Sequence, residues 1–144
     1  MSTMTVKQTV HIEAPVEKVF DYLKDPTNWN DLSGGAVDFK DVRLTKEGLG
    51  TSYSWVAKVA GLRLEGFDVF TDFVPNKRIT DKSSRAFEGT WTYSFEPVSS
   101  GTKVTLESRA RSVWGLPPLS MLVDRFAAKG HERTMSAFKA RMEA

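Results

Sequence analysis

Polar and apolar residues alternate with a period of two at the start of the chain. Met4, Val6, Val10 and Ile12 take one parity, and Thr5, Lys7, Thr9, His11 and Glu13 take the other. That pattern predicts a strand over residues 4 to 13 with one buried face, and it turns His11 to water. At Pro15 the period changes. Val16, Val19, Phe20 and Leu23 fall at i, i+3, i+4 and i+7, the spacing of one helical face. Pro15 suits the first helical position, and Glu17 suits the positively polarised first turn. Asp25 stands before Pro26, which drives its backbone out of the helical region and ends the helix, while its carboxylate can cap a second short helix. The elbow so formed presents Trp29, either as a wall of an interior cavity or as a staple between the short helices and the sheet edge.

Beyond Gly34 and Gly35 the pattern is that of strands. Val37 and Phe39 share one parity and Val42 and Leu44 the other, which predicts a bulge near Lys40. Tyr53, Trp55, Ala57 and Val59 then alternate with Ser52, Ser54 and Lys58, an aromatic-lined strand closed by Gly61. In the next run Leu62 and Leu64 are followed by Phe67, Val69 and Phe73. A bulge at Gly66 would absorb this change of parity, placing Phe67 and Val69 inward and Asp68 and Asp72 outward. A turn at Pro75-Asn76 leads to a short strand around Ile79 to Ser83. The clearest alternation runs over residues 87 to 96, with Phe87, Gly89, Trp91, Tyr93 and Phe95 on one face. Val104, Leu106, Ser108 and Ala110 continue the inward face of a last strand. After "WGLPPL", Leu119 to Met142 forms one long helix whose apolar stripe includes Leu119, Val123, Ala127, Thr134 and Phe138, flanked by Phe126 and Met135.

The order β-α-α-β6-α is that of an α+β domain spanning residues 1–144. Seven strands at ~4.8 Å spacing make a sheet ~29 Å wide, against ~10 Å for a helix with its side chains. The sheet must therefore curl around the long helix, and where the two diverge a pocket of ~300 to 1,000 Å³ is expected. Tyr53, Trp55, Trp91 and Tyr93 are its natural walls.

Composition narrows the partners. The 144 residues include 26% charged and 40% hydrophobic residues, the balance of a folded domain, and the net charge of +2 is spread along the chain with no basic stripe that would imply nucleic acid. There is no cysteine, so disulfides, thiolate chemistry and cysteine-ligated metals are excluded. With two histidines, one of them outward, a metal site is not expected. Neither a leader pattern nor a spanning apolar run is evident, and a cytoplasmic location is the default expectation. No nucleophile elbow, dinucleotide fingerprint or phosphate loop occurs.

The ordered set "IEAPVEKVFDYLKDPTNWNDL", "FDVFTDFVPNKRI", "TYSFEPVSSGTKVTLES" and the terminal helix resembles the polyketide cyclase/dehydrase branch of the START-like, helix-grip superfamily over nearly the whole chain. The resemblance implies a curved antiparallel sheet gripping a C-terminal helix around a hydrophobic ligand cavity. It also implies a range of activities, from lipid and quinone carriage to aromatic polyketide cyclisation. Cyclases of the family use a cavity arginine near the middle of the fourth strand; here that region reads "LEGFDVF" and offers none.

The expected ligand-binding residues are Trp29, Tyr53, Trp55, Phe67, Val69, Trp91, Tyr93, Leu106, Phe126 and His131. His131 and Tyr53 are the candidates for acid/base chemistry if any reaction occurs. Trp114 and Leu116, in the proline-stiffened loop, are expected at the cavity entrance, where a tryptophan could also make transient membrane contact. The expected function is carriage or sequestration of a small hydrophobic molecule (a lipid, a quinone or an aromatic polyketide-like compound) without a cofactor, by a monomer or a homodimer. A cyclase or dehydratase is the second reading, and a protein-interaction module of a stress or toxin-antitoxin system the third.

Overall fold

The computed structural model describes residues 4–59, 61–112 and 119–144. Strand β1 (Met4–Ile12) is followed by helix α1 (Val16–Leu23), a 3-10 turn (Pro26–Asn28) and helix α2 (Trp29–Ser33). Six strands come next: β2 (Val37–Arg43), β3 (Ser52–Val59), β4 (Leu62–Val74), β5 (Arg78–Arg85), β6 (Phe87–Val98) and β7 (Gly101–Ser112). Helix α3 (Leu119–Glu143) closes the chain. The strands form one antiparallel sheet in the order β1-β7-β6-β5-β4-β3-β2, the arrangement of an α+β helix-grip fold.

Local chemistry explains the elbow between β1 and β2. Pro15 is extended and precedes α1, whose buried face is Val16, Val19, Phe20 and Leu23. The Asp25 carboxylate accepts from the Thr27 backbone N–H at 3.0 Å and from the Thr27 hydroxyl at 2.7 Å, capping the 3-10 turn. Gly34, at φ 61°, ends α2 in the left-handed conformation that a glycine reaches without steric cost.

Alternation along β3, β6 and β7 places the predicted apolar parity on the concave face. The irregularity expected near Lys40 is present: register shifts between Lys40 and Arg43, with Asp41 at φ 52°. The bulge expected at Gly66 is not. Pairing of β3 with β4 runs unbroken from Val59–Leu62 to Ser52–Val69, and the shift in β4 falls between Phe70 and Asp72. Gly66 keeps the ladder in register because its missing Cβ makes room for the indole of its cross-strand partner Trp55; a Cβ there would lie 2.1 Å from that ring. Leu64, Gly66, Asp68 and Phe70 consequently face inward, while Phe67, exposed, and Val69 take the opposite parity.

The α3 stripe of Val123, Ala127, Met135, Phe138 and Met142 is buried, and the helix packs on β1, β7 and α2. Its C-terminal end is tied to the start of the chain. Lys139 Nζ donates to the His11 carbonyl at 2.7 Å, and the Glu143 carboxylate accepts from the Glu13 backbone N–H at 2.8 Å. The earlier part of α3, from Phe126 to Thr134, faces a hollow instead of a packed sheet. Among the described residues no helix is long and apolar enough to cross a membrane.

Candidate functional site

Strands β3 to β6 form one wall of that hollow and α2 with α3 the other. The cavity has a volume of about 140 Å³, smaller than the ~300 to 1,000 Å³ anticipated from sheet width alone. The difference is side-chain volume, because Trp29, Phe39, Tyr53, Trp91 and Tyr93 occupy much of the space between sheet and helices.

Trp29 sits between the short helices and the sheet. Its indole N–H donates to the Leu23 carbonyl at 2.9 Å, pinning α2 to α1, and its ring packs edge-on against Phe39 at 5.5 Å and Tyr53 at 5.1 Å on the cavity wall. Trp55, Trp91, Tyr93, Phe126 and His131 also line the cavity. Leu106 does not: it is buried in the core beneath the wall. Phe67 and Val69 are corrected by the β4 register, which turns them to the convex face, away from the lining. Trp114 and Leu116 lie outside the described residues.

The register that removes Phe67 brings in Asp68. With Asp81 and Ser83 on β5 and Tyr53 and Trp55 on β3, it forms a buried polar cluster on an otherwise apolar wall. Asp68 Oδ1 accepts from the Trp55 indole N–H at 2.9 Å, and Oδ2 from the Tyr53 hydroxyl at 3.1 Å and from the Ser83 hydroxyl. Tyr53 Oη also contacts Asp81 Oδ2 at short range. One phenolic hydrogen can serve only one of these carboxyls, so the other contact requires a proton on one member of the pair. Burial, then the charge of Asp68, pushes the Asp81 carboxyl well above the ordinary carboxylate range. Burial also raises Asp68, but its hydrogen bonds oppose that rise. Both carboxyls are thus raised and titrate as a coupled pair, Asp81 the more strongly raised of the two. Burial and these carboxyls push the Tyr53 hydroxyl well above its usual value, so it stays a neutral hydroxyl.

Across the cavity, the Trp91 indole N–H donates to His131 Nε2 at 2.6 Å. An imidazole that accepts at Nε2 carries its proton on Nδ1. Burial lowers the His131 pKa to about 4, keeping the ring neutral. The opposite walls thus present a proton-bearing carboxyl pair and a neutral imidazole, with aromatic faces between them.

Sequence reasoning missed Asp68, Asp81 and Ser83. Asp81 and Ser83 share the parity of the inward Ile79 in "RITDKSSR", a signal that was available; Asp68 was hidden by the assumed bulge. Asp72 does face outward, paired with Arg78.

Several solved structures share this fold. The Zhui aromatase/cyclase from a Streptomyces species is 16% identical, with a TM-score of 0.78, 99% of this chain and 94% of that one covered. A Thermus thermophilus protein is 23% identical, with a TM-score of 0.75 and coverage of 96% and 97%. A Rhizobium leguminosarum protein is 19% identical, with a TM-score of 0.74 and coverage of 99% and 95%. No curated protein sequence matches the chain significantly. The model of the family described as polyketide cyclase / dehydrase and lipid transport matches residues 3–143. With that match spanning the helices, the whole sheet and the cavity they enclose, the chain belongs to the polyketide cyclase/dehydrase and lipid transport family.

Proposed function

We propose that this protein binds a small hydrophobic molecule of about one aromatic ring in the cavity between its sheet and α3, and carries or sequesters it. The observation that carries this reading is the 140 Å³ hollow walled by Trp29, Trp55, Phe87, Trp91 and Tyr93. Cavities near 150 Å³ lined by apolar side chains hold benzene-sized guests. Burial of apolar ligand surface at ~25 cal/mol per Å² supplies the driving force. A long lipid chain or a multi-ring polyketide would require these walls to move apart. The hollow also favours ligand binding over a role as a protein-interaction module, for which a solidly packed interior would serve as well. Native mass spectrometry before and after organic extraction tests the reading: a releasable adduct of low mass supports it, and Trp91→Ala should retain less of it. A protein whose mass is unchanged by extraction, and which takes up no added toluene, would refute it.

A second reading, acid/base catalysis, is favoured by the convergence of Asp68, Asp81, Tyr53 and Ser83 on one wall and His131 on the other. A protonated carboxyl of the pair can donate to a ligand carbonyl while its ionised partner accepts a proton from the adjacent carbon, the requirement for an aldol-type cyclisation or dehydration. Solvent-deuterium exchange into a small aryl ketone, followed by NMR, tests it. Exchange that is lost in Asp68→Asn supports catalysis, and exchange at the uncatalysed rate excludes it for that substrate class.

A further inference from the structure

We propose that the cavity is a receptor for a small organic cation, an aromatic amine-bearing molecule whose ammonium group seats against the Asp68–Asp81 carboxyl pair while its ring lies among the indoles and phenols. This inference rests on the ligand-binding reading above and narrows it to a chemical class.

Its basis is the charge balance of the cavity. Asp68 and Asp81 are only 3% and 2% exposed, and among the described residues no Lys, Arg or His forms a salt bridge with either. Asp68 is reached by the neutral Trp55 indole and the Tyr53 and Ser83 hydroxyls and shares a hydrogen bond with Asp81, so no cationic donor meets it. Asp81 Oδ1 is buried, and apart from the neighbouring Asp68 carboxyl no N–H or hydroxyl donor reaches it. Buried carboxyl oxygens in native proteins are nearly always met by a donor. Here the missing partner is a donor, and any charge the pair carries is negative and has no cation beside it.

The groups facing the pair supply no positive charge from within. Tyr53 on β3 and Tyr93 on β6 are neutral, each with its hydroxyl raised by burial. His131 on α3 is held neutral by burial, and its Nε2 is already occupied by Trp91. Arg133, also on α3, reaches the cavity edge but is exposed, where water and salt screen it. The remaining surfaces are the π faces of Trp29, Trp55, Phe87 and Trp91, whose quadrupoles attract a cation and not an anion. A spare buried acceptor, an acidic pair without a cation beside it and aromatic faces all select the same ligand class.

In the free protein the raised, coupled carboxyls retain a shared proton that offsets part of their charge. An ammonium group takes over that role, so that amine cation plus the singly protonated pair gives the bound cation, two carboxylates and one released proton. The expected signature is therefore proton release on binding.

Isothermal titration of benzylamine, benzyl alcohol and toluene into the full chain tests this, at neutral pH in two buffers of different ionisation enthalpy. Benzylamine should bind roughly tenfold or more tightly than benzyl alcohol, with heats that differ between the buffers as a released proton requires. The preference should shrink in Asp81→Asn while toluene binding persists. If all three compounds bind wild type equally well, the cation inference falls and the cavity reading stands; if none binds, both fall. Should Asp81→Asn fail to fold, the charged-against-neutral comparison and the buffer dependence in wild type still decide.

Discussion

Asp81 and His131 face one cavity from opposite walls and impose pH dependences of opposite sign. Asp81 has a raised carboxyl, so the native state binds its proton more tightly than the unfolded chain does. Stability from this residue is present at low pH and is lost as pH rises from the ordinary carboxylate value toward the folded one. His131 has a lowered pKa, so the unfolded chain takes up a proton that the native ring refuses; stability is lost as pH falls from about 6.5 to about 4. Thermal melts across this range should show Asp81→Asn flattening the decline on the alkaline side and His131→Gln flattening the decline on the acid side. Identical pH profiles for wild type and both variants would contradict the directions of these two shifts. At this scale the aromatic wall was legible in the sequence, because Tyr53, Trp55, Trp91 and Tyr93 alternate strictly with polar residues. The carboxyl pair was not read, since an aspartate on a strand is usually solvated, and one parity error was enough to turn Asp68 outward.

Among the elements, β4 and α3 do most to set the site. In β4, Gly66 seats the Trp55 indole so that its N–H reaches Asp68 at 2.9 Å. Gly66→Ala should displace the ring, break that hydrogen bond and cost about 1–3 kcal/mol in urea unfolding; a stability equal to wild type would refute this role. In α3, Gly130 lines the cavity, and a Cβ added there meets nothing within 4 Å. Gly130→Leu should therefore leave stability unchanged or raise it by up to about 1 kcal/mol through helix propensity, while filling the hollow and abolishing uptake of toluene. A variant that binds as well as wild type would place the guest elsewhere. The existence and order of these elements followed from periodicity and turn residues. The position of the β4 bulge did not, because a glycine in a strand signals either a bulge or the close approach of a neighbour, and here Trp55 is that neighbour.

For the whole molecule, the width of the sheet leaves a hollow, and side chains make it smaller than that width alone implies. A sheet of seven strands is broader than one helix can cover, and α3, tied at its C-terminal end to β1, leaves a hollow opposite β3 to β6. The short helices that follow β1 then narrow it: Trp29 and Leu32 enter from the side, a contribution that strand counting ignores. The remaining space suits a compact guest and accounts for the mixture of an oily wall with a single acidic patch. Three of the four tryptophans, Trp29, Trp55 and Trp91, line that space, so their indole N–H resonances report on it directly. Titration of toluene into nitrogen-15-labelled protein is accordingly the most direct test. Saturable shifts of those three indole signals, absent in Gly130→Leu, are the predicted result. Unmoved indole signals, or shifts confined to residues of the convex face such as Phe67, would contradict the account.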